Sequence, residues 1–441
     1  MVSTHTRRQR APLVAVGIAA VVILLTALAG QLLVTGGARL HLLGGLIIRG
    51  PWEPRPGVSM LLPLAVGGLL LVAAPAWSQR LSWAALLPAS ALAAAGWAVS
   101  LALVDGVSGL TKPLSSRYEY PYDVPRVGSW GEFLDGFTGN ILADSPDPWT
   151  THVAGHPPGA LLTFAGLDQI GLGGLGWAAA LCVVVGASAV PAALVATRAT
   201  VDEATARVIA PFVAVAPLAI WVAVSADAIF LGVSAWGIAA LAVATRRDGV
   251  AADLLALAGG LLLGTALFLS YGLVLLGPLA LAVIAVRRRW RVLLVGALGV
   301  LAVLLIFAAA GFWWFDGLLT TAERVTGGPA ARNRPTPYFL VANLAASAIA
   351  IGPAGVGAVG ALLTRDGRRT PVALLAFGGL AAILIADFSL LSKGEVERIY
   401  LPFLLWILTA TALLEPRQRS RWLAAQIVVA IAVQVLIRTE W

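Results

Sequence analysis

The sequence predicts an all-α fold: a polytopic membrane protein with about 13 transmembrane helices and polar outer loops. Three observations carry this. The chain of 441 residues is 59% hydrophobic and only 12% charged, about half the charge of an average soluble domain. Apolar runs close to the length of a bilayer crossing recur from Ala11 to Ile437. The strict alternation that marks a membrane β-barrel is absent. A single integral membrane domain over 1–441 follows, since no repeat, low-complexity tract or long cytoplasmic segment marks a second one.

The elements run as follows. Residues 1–10, with Arg7, Arg8 and Arg10, precede the apolar run 11–33 and read as the lead into a first anchor. Runs 61–77 and 83–104 come next, then a polar stretch, then 159–175, 177–197, 205–222 and 228–245. The run 254–286 fits one kinked span or two short ones meeting near Ser270-Tyr271-Gly272. Runs 292–313, 338–363, 371–391, 398–414 and 422–437 complete the set. Several contain Pro or Gly, which helices in lipid tolerate when neighbours satisfy the freed backbone groups.

Arginine clusters at 7–10, 287–291, 365–369 and 417–421 set the orientation, because basic loops stay inside. The N-terminus is then cytoplasmic. Segments 34–60, 105–158, 314–337 and 391–398, and the end from Arg438, fall outside the cell membrane. If 254–286 is one span, Arg246-Arg247 lies outside. If it is two, Arg246-Arg247 lies inside and 159–172 is re-entrant or interfacial. The charge rule favours two.

Charge and motif narrow the function. The net charge of +8 sits in short clusters between apolar runs, a topogenic pattern that points away from nucleic acid. The single cysteine, Cys182, allows no intrachain disulfide. No phosphate-cradling glycine loop is present, which disfavours an ATP-driven pump. Arg outnumbers Lys 28 to 2 in an Ala-, Gly-, Val- and Leu-rich chain, as in the proteins of high-GC actinobacteria.

Three outer segments gather the chemistry. The first, 105–158, packs Glu119 and Asp123 among Tyr118, Tyr120 and Tyr122, a mixture suited to sugar rings and hydroxyls. Its stretch 129–142 reads as an amphipathic helix capped by Ser129 and Glu132, with Trp130, Phe133, Leu134 and Phe137 on a bilayer-facing side. It ends in His152, His156, Pro157 and Pro158, placing an imidazole at the entry to a span. Phosphate binding suits these histidines better than a metal, because the prolines interrupt the helix that paired ligands need. The second segment, 314–337, carries Arg324, Arg332 and Arg334 with Gly327-Gly328 and reads as a basic loop that closes over an anionic headgroup. The third, 391–398, holds Lys393, Glu395, Glu397 and Arg398 between apolar runs, where ionisable groups are costly unless used or paired. Arg398 opens a helix, where the dipole disfavours a cation without an anionic partner. Asp227 and Asp387, at span ends, rank below the loop carboxylates.

A long polar outer loop ending in a His-Pro-Pro helix entry, a later basic outer loop and about 13 spans together resemble the GT-C superfamily of membrane glycosyltransferases. That superfamily includes protein mannosyltransferases, lipid A aminoarabinose transferases and actinobacterial mannosyl- and arabinosyltransferases. The stretch 393–403, Lys-Gly-Glu-Val-Glu-Arg-Ile-Tyr-Leu-Pro-Phe, is similar to segments of actinobacterial integral membrane proteins of this type. The resemblance implies a GT-C-like fold and a sugar donor on a polyprenyl-phosphate carrier, used on the outer face for a glycan or glycolipid acceptor of the cell envelope. It implies a loop carboxylate as base, here Asp123 or Glu119. His152, His156, Arg324, Arg332, Arg334, Lys393, Glu395 and Arg398 are then the substrate-binding candidates. One departure stands out: the segment after the first span, 34–60, where such a base is expected, holds only Glu53. No cofactor is required; a divalent cation, Mg or Mn, bridging carboxylate and phosphate is an option. The alternative is a flippase or binding protein for a polyprenyl-linked glycan, which expects ionisable groups facing a cavity inside the membrane.

Overall fold

The computed structural model describes residues 2–441, with side chains at 10–328 and 331–441. The side chains of Arg7 and Arg8 in the expected N-terminal cluster lie outside the described residues. Helices dominate, and the only extended pairing among the described residues is an isolated antiparallel bridge between Trp52 and Ile437.

Nine helices among the described residues are long and apolar enough to cross a membrane. They begin with Arg10–Thr35, Val58–Arg80, Trp83–Asp105 and Leu175–Thr200. Asp227–Ala244, Gly249–Leu269, Trp290–Ala309, Thr336–Leu362 and Pro416–Leu436 follow. Tyr271–Ala285, Ala373–Phe388 and Leu401–Leu413 are shorter and also apolar. The expected run 205–222 is a broken rod, Glu203–Ala214 then Ala219–Val222, with Pro217 in the break.

Two expectations need correction. The run 159–175 is the helix Gly159–Gln169, only ~16 Å long at 1.5 Å per residue, so it does not span. The run 254–286 breaks at Ser270, where the Gly249–Leu269 helix ends and a 3-10 turn, Tyr271–Leu276, begins; the break falls where the two-span alternative puts it. The 129–142 helix exists as Trp130–Gly136, with Ser129 and Glu132 capping reciprocally. However, Phe133 and Phe137 pack on Trp149, Phe137 also meets Phe312, Leu134 is buried, and Trp130 alone is exposed. Aromatic partners from two loops, Trp149 later in the same segment and Phe312 ahead of the Trp314–Gly327 helix, outcompete the bilayer for that face.

The basic segment 314–337 is also largely helical, as Trp314–Gly327 and Pro329–Asn333. Trp314 Nε1 donates to Leu267 O at 2.9 Å and Thr321 Oγ1 to Ala154 O at 3.1 Å, so this helix is pinned to the Gly249–Leu269 helix and to segment 105–158.

Close packing comes from small residues. A Cβ on Gly260 would sit 2.0 Å from Gly296 O, so the Gly249–Leu269 and Trp290–Ala309 helices meet backbone to backbone. The Thr336–Leu362 helix is kinked at Gly352, with φ 68° ahead of Pro353. Pro353 removes a donor and left-handed Gly352 turns the chain, which frees backbone groups deep in the bundle. Gln426, fully buried on a neighbouring helix, satisfies them: its Nε2 donates to Ile351 O at 2.6 Å and its Oε1 accepts from Ala354 N at 2.9 Å.

The polar groups segregate to two ends. At one end Arg207 donates to Ser78 O and Leu81 O, Arg246 to Ala199 O and Val201 O, and Arg289 pairs with Asp248. At the other end segments 40–55, 105–156, 389–398 and 434–441 converge.

Gln426→Leu is expected to strand both backbone groups, at a cost of about 1–3 kcal/mol each. A thermal unfolding curve in detergent checks this; a melting temperature equal to wild type would show that the kink needs no side-chain partner.

Candidate functional site

The second polar end holds a buried cluster of charges built around Arg398. The backbone at Glu395 is left-handed, φ 63°, and this turn starts the short helix Val396–Ile399. The turn aims Arg398 into the bundle, where its side chain is 6% exposed. Arg398 Nη1 meets Asp227 Oδ2 at 2.6 Å and Nη2 meets Glu395 Oε2 at 3.1 Å. Asp227 occupies the first turn of Asp227–Ala244, where the helix dipole favours a carboxylate. Arg398 thus has the anionic partner that its place at a helix start demands.

A second branch runs through His152. Arg398 Nη2 lies 3.0 Å from His152 Nε2, and His152 Nδ1 lies 2.8 Å from Glu119 Oε1. A guanidinium only donates. His152 Nε2 therefore accepts, and the ring proton sits on Nδ1, facing Glu119. Trp441 closes this branch: its Nε1 donates to Glu119 Oε1 at 3.2 Å, and Arg398 Cζ stands 4.3 Å from its ring centre. Burial pushes the Glu119 carboxyl up, but His152, Arg398 and the Trp441 hydrogen bond outweigh it and hold it at about 2.

The third branch is Glu395, which Arg398, Arg49 and Arg334 all approach. Burial opposes its charge too, yet the guanidinium groups of Arg398, Arg49 and Arg334 hold it at about 2. Glu397 behaves differently. It is fully buried, accepts Arg49 N at 2.8 Å through Oε1, and its Oε2 meets no donor among the described residues. Burial pushes it up to about 7.

The remaining sequence candidates lie elsewhere. Asp123 is fully buried, but Thr150 N, Thr150 Oγ1 and Arg126 Nη1 take its oxygens at 2.9, 2.8 and 3.1 Å. It latches the two ends of the loop together. His156 Nδ1 lies 2.8 Å from His152 O, and its ring packs on Tyr120 and Phe230. Burial pulls His156 down to about 4, leaving it an uncharged packing residue near neutral pH. Arg324 donates to Ile141 O and Trp149 O, Arg332 to Gly327 O, and Lys393 to Ala331 O. These three staple loops. Arg334 spends most of its donors on Leu40 O, His41 O and Lys393 O and offers Glu395 its charge at 3.5 Å.

Three members of the cluster escaped the sequence reading: Arg49, Asp227 as a central partner, and Trp441. The available signal was a lone arginine in Ile47-Ile48-Arg49-Gly50 and a lone carboxylate at a helix start.

Among the described residues, no three of His, Cys, Asp and Glu are arranged to hold a metal ion. The cluster's carboxylates face guanidinium and imidazole groups, a donor set that suits an anion better than a divalent cation. A cavity of about 330 Å³ lined by Thr200, Val286, Arg368 and Phe377 carries no carboxylate and shares no residue with the cluster.

No family model and no curated protein matches the sequence. Solved structures similar to it include ArnT from Cupriavidus metallidurans in the apo state, at 18% identity and TM-score 0.43, over 74% of this chain and 62% of that one. They also include the oligosaccharyltransferase of Archaeoglobus fulgidus in the apo form, at 13% identity and TM-score 0.45, over 82% and 57%. A third is the oligosaccharyltransferase AglB of Archaeoglobus fulgidus with an inhibitory peptide and a dolichol-phosphate, at 14% identity and TM-score 0.38, over 82% and 57%. The chain spans about three fifths of the length of these proteins.

Two outcomes are expected. Arg398→Ala strands Asp227 as a buried unpaired charge, at a cost of about 3–5 kcal/mol, and the double variant Arg398→Met/Asp227→Leu recovers most of it. Unfolding midpoints of the single and double variants decide; equal losses in both would exclude this coupling. The second concerns Glu397, whose folded value of about 7 lies above its ordinary 4.5. Between these values the unfolded chain has lost a proton that the folded chain keeps, so wild-type stability falls as pH rises through this window. Glu397→Gln removes that slope, read as melting temperature against pH from 4 to 8 in both proteins, and parallel curves would refute it.

Proposed function

We propose that this chain is a membrane glycosyltransferase that moves a sugar from a polyprenyl-phosphate carrier to a hydroxyl acceptor of the cell envelope. The observation that carries the reading is the cluster itself: Glu119 and His152 stand beside Arg398 and Arg49 at one polar end of an apolar helical bundle. A carboxylate next to guanidinium groups is what sugar transfer from a lipid phosphate needs, and a membrane-embedded bundle gives the lipid tail somewhere to lie. The arginine-rich opposite end, with Arg207, Arg246, Arg289 and Arg291, suits the cytoplasmic face. The cluster then opens to the outside.

In this reading the acceptor oxygen attacks the anomeric carbon, and the bond from that carbon to the phosphate oxygen breaks. The bonding electrons leave with the polyprenyl phosphate, whose growing charge Arg398 stabilises. The acceptor proton goes to Glu119. A carboxylate held at about 2 is a weak base, but it is always ionised and so always able to accept the hydroxyl's hydrogen bond. Proton transfer comes late, once bond formation to carbon has turned the hydroxyl into a strongly acidic oxonium. His152 positions Glu119 rather than touching substrate. Asp123, locked by Thr150 and Arg126, keeps the loop closed. No step calls for a divalent cation.

The test is transfer of radiolabelled sugar from polyprenyl-phosphate mannose, arabinose or glucose in membranes. Glu119→Gln should lower transfer by at least about 100-fold while donor binding persists. Asp123→Asn should lower the melting temperature more than the transfer rate of the folded fraction. Full transfer by Glu119→Gln would remove it as base. Wild-type protein that moves a polyprenyl-linked glycan across vesicles, with no transfer, would put the transport reading ahead.

A further inference from the structure

The convergence of guanidinium groups on Glu395 has a feature that a purely structural ion cluster does not explain. Arg49, Arg334 and Arg398 share one carboxylate, yet the buried Nε of Arg49 and the buried Nε of Arg398 donate to nothing among the described residues. Two orphaned charged donors in a buried site are expensive. A carboxylate has two oxygens and cannot serve them all. An anion with more oxygens in the same place can.

Glu395 is also held in a way that lets it leave. Its backbone is left-handed at φ 63°, next to Gly394 at φ 85°, and Leu390 five residues earlier is left-handed at φ 60°. For a residue with a side chain this conformation costs about 1–2 kcal/mol, so the turn stores strain that a swing of the segment releases. Glu395 is 13% exposed, whereas Arg398 beneath it is 6% exposed. The carboxylate therefore lies on the solvent side of the Arg398 and Arg334 guanidinium groups, beside that of Arg49, which is 18% exposed. Trp441 flanks the same two arginines, with Arg49 Cζ 5.3 Å and Arg398 Cζ 4.3 Å from its ring centre.

We infer that Arg49 and Arg398, with the charge of Arg334, form a phosphate subsite in which Glu395 is a displaceable stand-in for the phosphate of a polyprenyl phosphate. The identity of the ligand rests on the transferase reading above; the anion site rests on the geometry alone. A sugar phosphodiester carries one negative charge, as Glu395 does, so the exchange leaves the charge of the cluster unchanged. Its two charged oxygens sit with two ester oxygens on a tetrahedral phosphorus rather than in one plane, so they reach the free Nε donors of Arg49 and Arg398 from directions that a carboxylate does not cover. Transfer then leaves a phosphomonoester with more charge, which holds the site more tightly. Return of Glu395 to its three arginines competes with that product and helps to expel it.

The test measures binding in lipid nanodiscs with three probes: undecaprenyl phosphate, inorganic phosphate and phosphatidylglycerol. Glu395→Gln removes the competing charge and should tighten undecaprenyl phosphate about tenfold, while Arg49→Gln should weaken it by about tenfold or more. Unchanged or weaker binding by Glu395→Gln, or unchanged binding by Arg49→Gln, overturns the inference. Competition by inorganic phosphate at similar concentration would make the source free phosphate and overturn the lipid assignment. Equal competition by phosphatidylglycerol would reduce the site to a general anionic-lipid patch and overturn it as well. A measurement on wild type covers the case in which a variant fails to fold. Amides 390–395 should exchange hydrogen faster when undecaprenyl phosphate is bound, since Glu395 has left; slower or equal exchange contradicts displacement. If these results hold and no sugar is transferred, the subsite stands and the transferase reading falls. If sugar is transferred and neither variant changes binding, the reverse is true.

Discussion

The constraint on which this architecture depends is the cost of burying the Arg398 guanidinium at the end of an apolar bundle. A cation there survives only if anions meet it from several directions. Asp227 comes from a helix terminus, Glu395 from the preceding turn, and Glu119 with His152 from segment 105–158. These groups come from three segments far apart in sequence, so neutralising one charge fixes the relative placement of three parts of the chain. The burial that makes the cluster costly also makes it sharp. In a low-dielectric site a charge misplaced by an ångström matters more than it would in water.

A second demand is that backbone groups freed from helices find partners. Arginine meets it repeatedly here, and in a different manner from Arg398. Arg324 ties Ile141 and Trp149, Arg334 ties Leu40, His41 and Lys393, and Arg246 ties Ala199 and Val201, all through carbonyl oxygens. A guanidinium's fan of donors lets one side chain close several loop ends. Arginines in this chain therefore do two kinds of work. Those bound only to carbonyls hold loops, whereas Arg49 and Arg398, bound to Glu395, build the cluster, and Arg334 does both.

This division explains what was legible in the sequence. Hydrophobic run length identifies the helical membrane fold, because lipid imposes one length scale on every crossing. The break at Ser270 and the Ser129–Glu132 cap were also readable, since each is a local property of its residues. Glu119, His152, Glu395 and Arg398 were recognisable as charges out of place in an apolar chain. What was hidden depends on distant partners. Asp123 and Glu119 look alike four residues apart, and only the positions of Thr150 and His152 separate a latch from a site carboxylate. The apolar face of 130–137 could not declare whether lipid or Phe312 would cover it. Arg49 and Trp441 stand in segments with no pattern of their own and gain meaning only from the pairing of 49–55 with 434–441.

Glu397 shows how burial and charge divide neighbouring groups. Glu395 and Glu397 are two residues apart, and burial opposes ionisation of both. Glu395 faces three guanidinium groups and stays charged. Glu397 faces mainly a backbone amide, that of Arg49, and is pushed up to about 7. Desolvation is similar, so the nearby cations decide the outcome. The Arg49 amide and the Arg49 side chain thus read two different carboxylates on the same short segment. That arrangement holds segment 45–50 against 395–398 whichever partner the Arg49 guanidinium takes. Loss of the Arg49–Glu395 contact therefore need not loosen the Arg49 backbone, and a change at the charged face of the cluster can leave its framework in place.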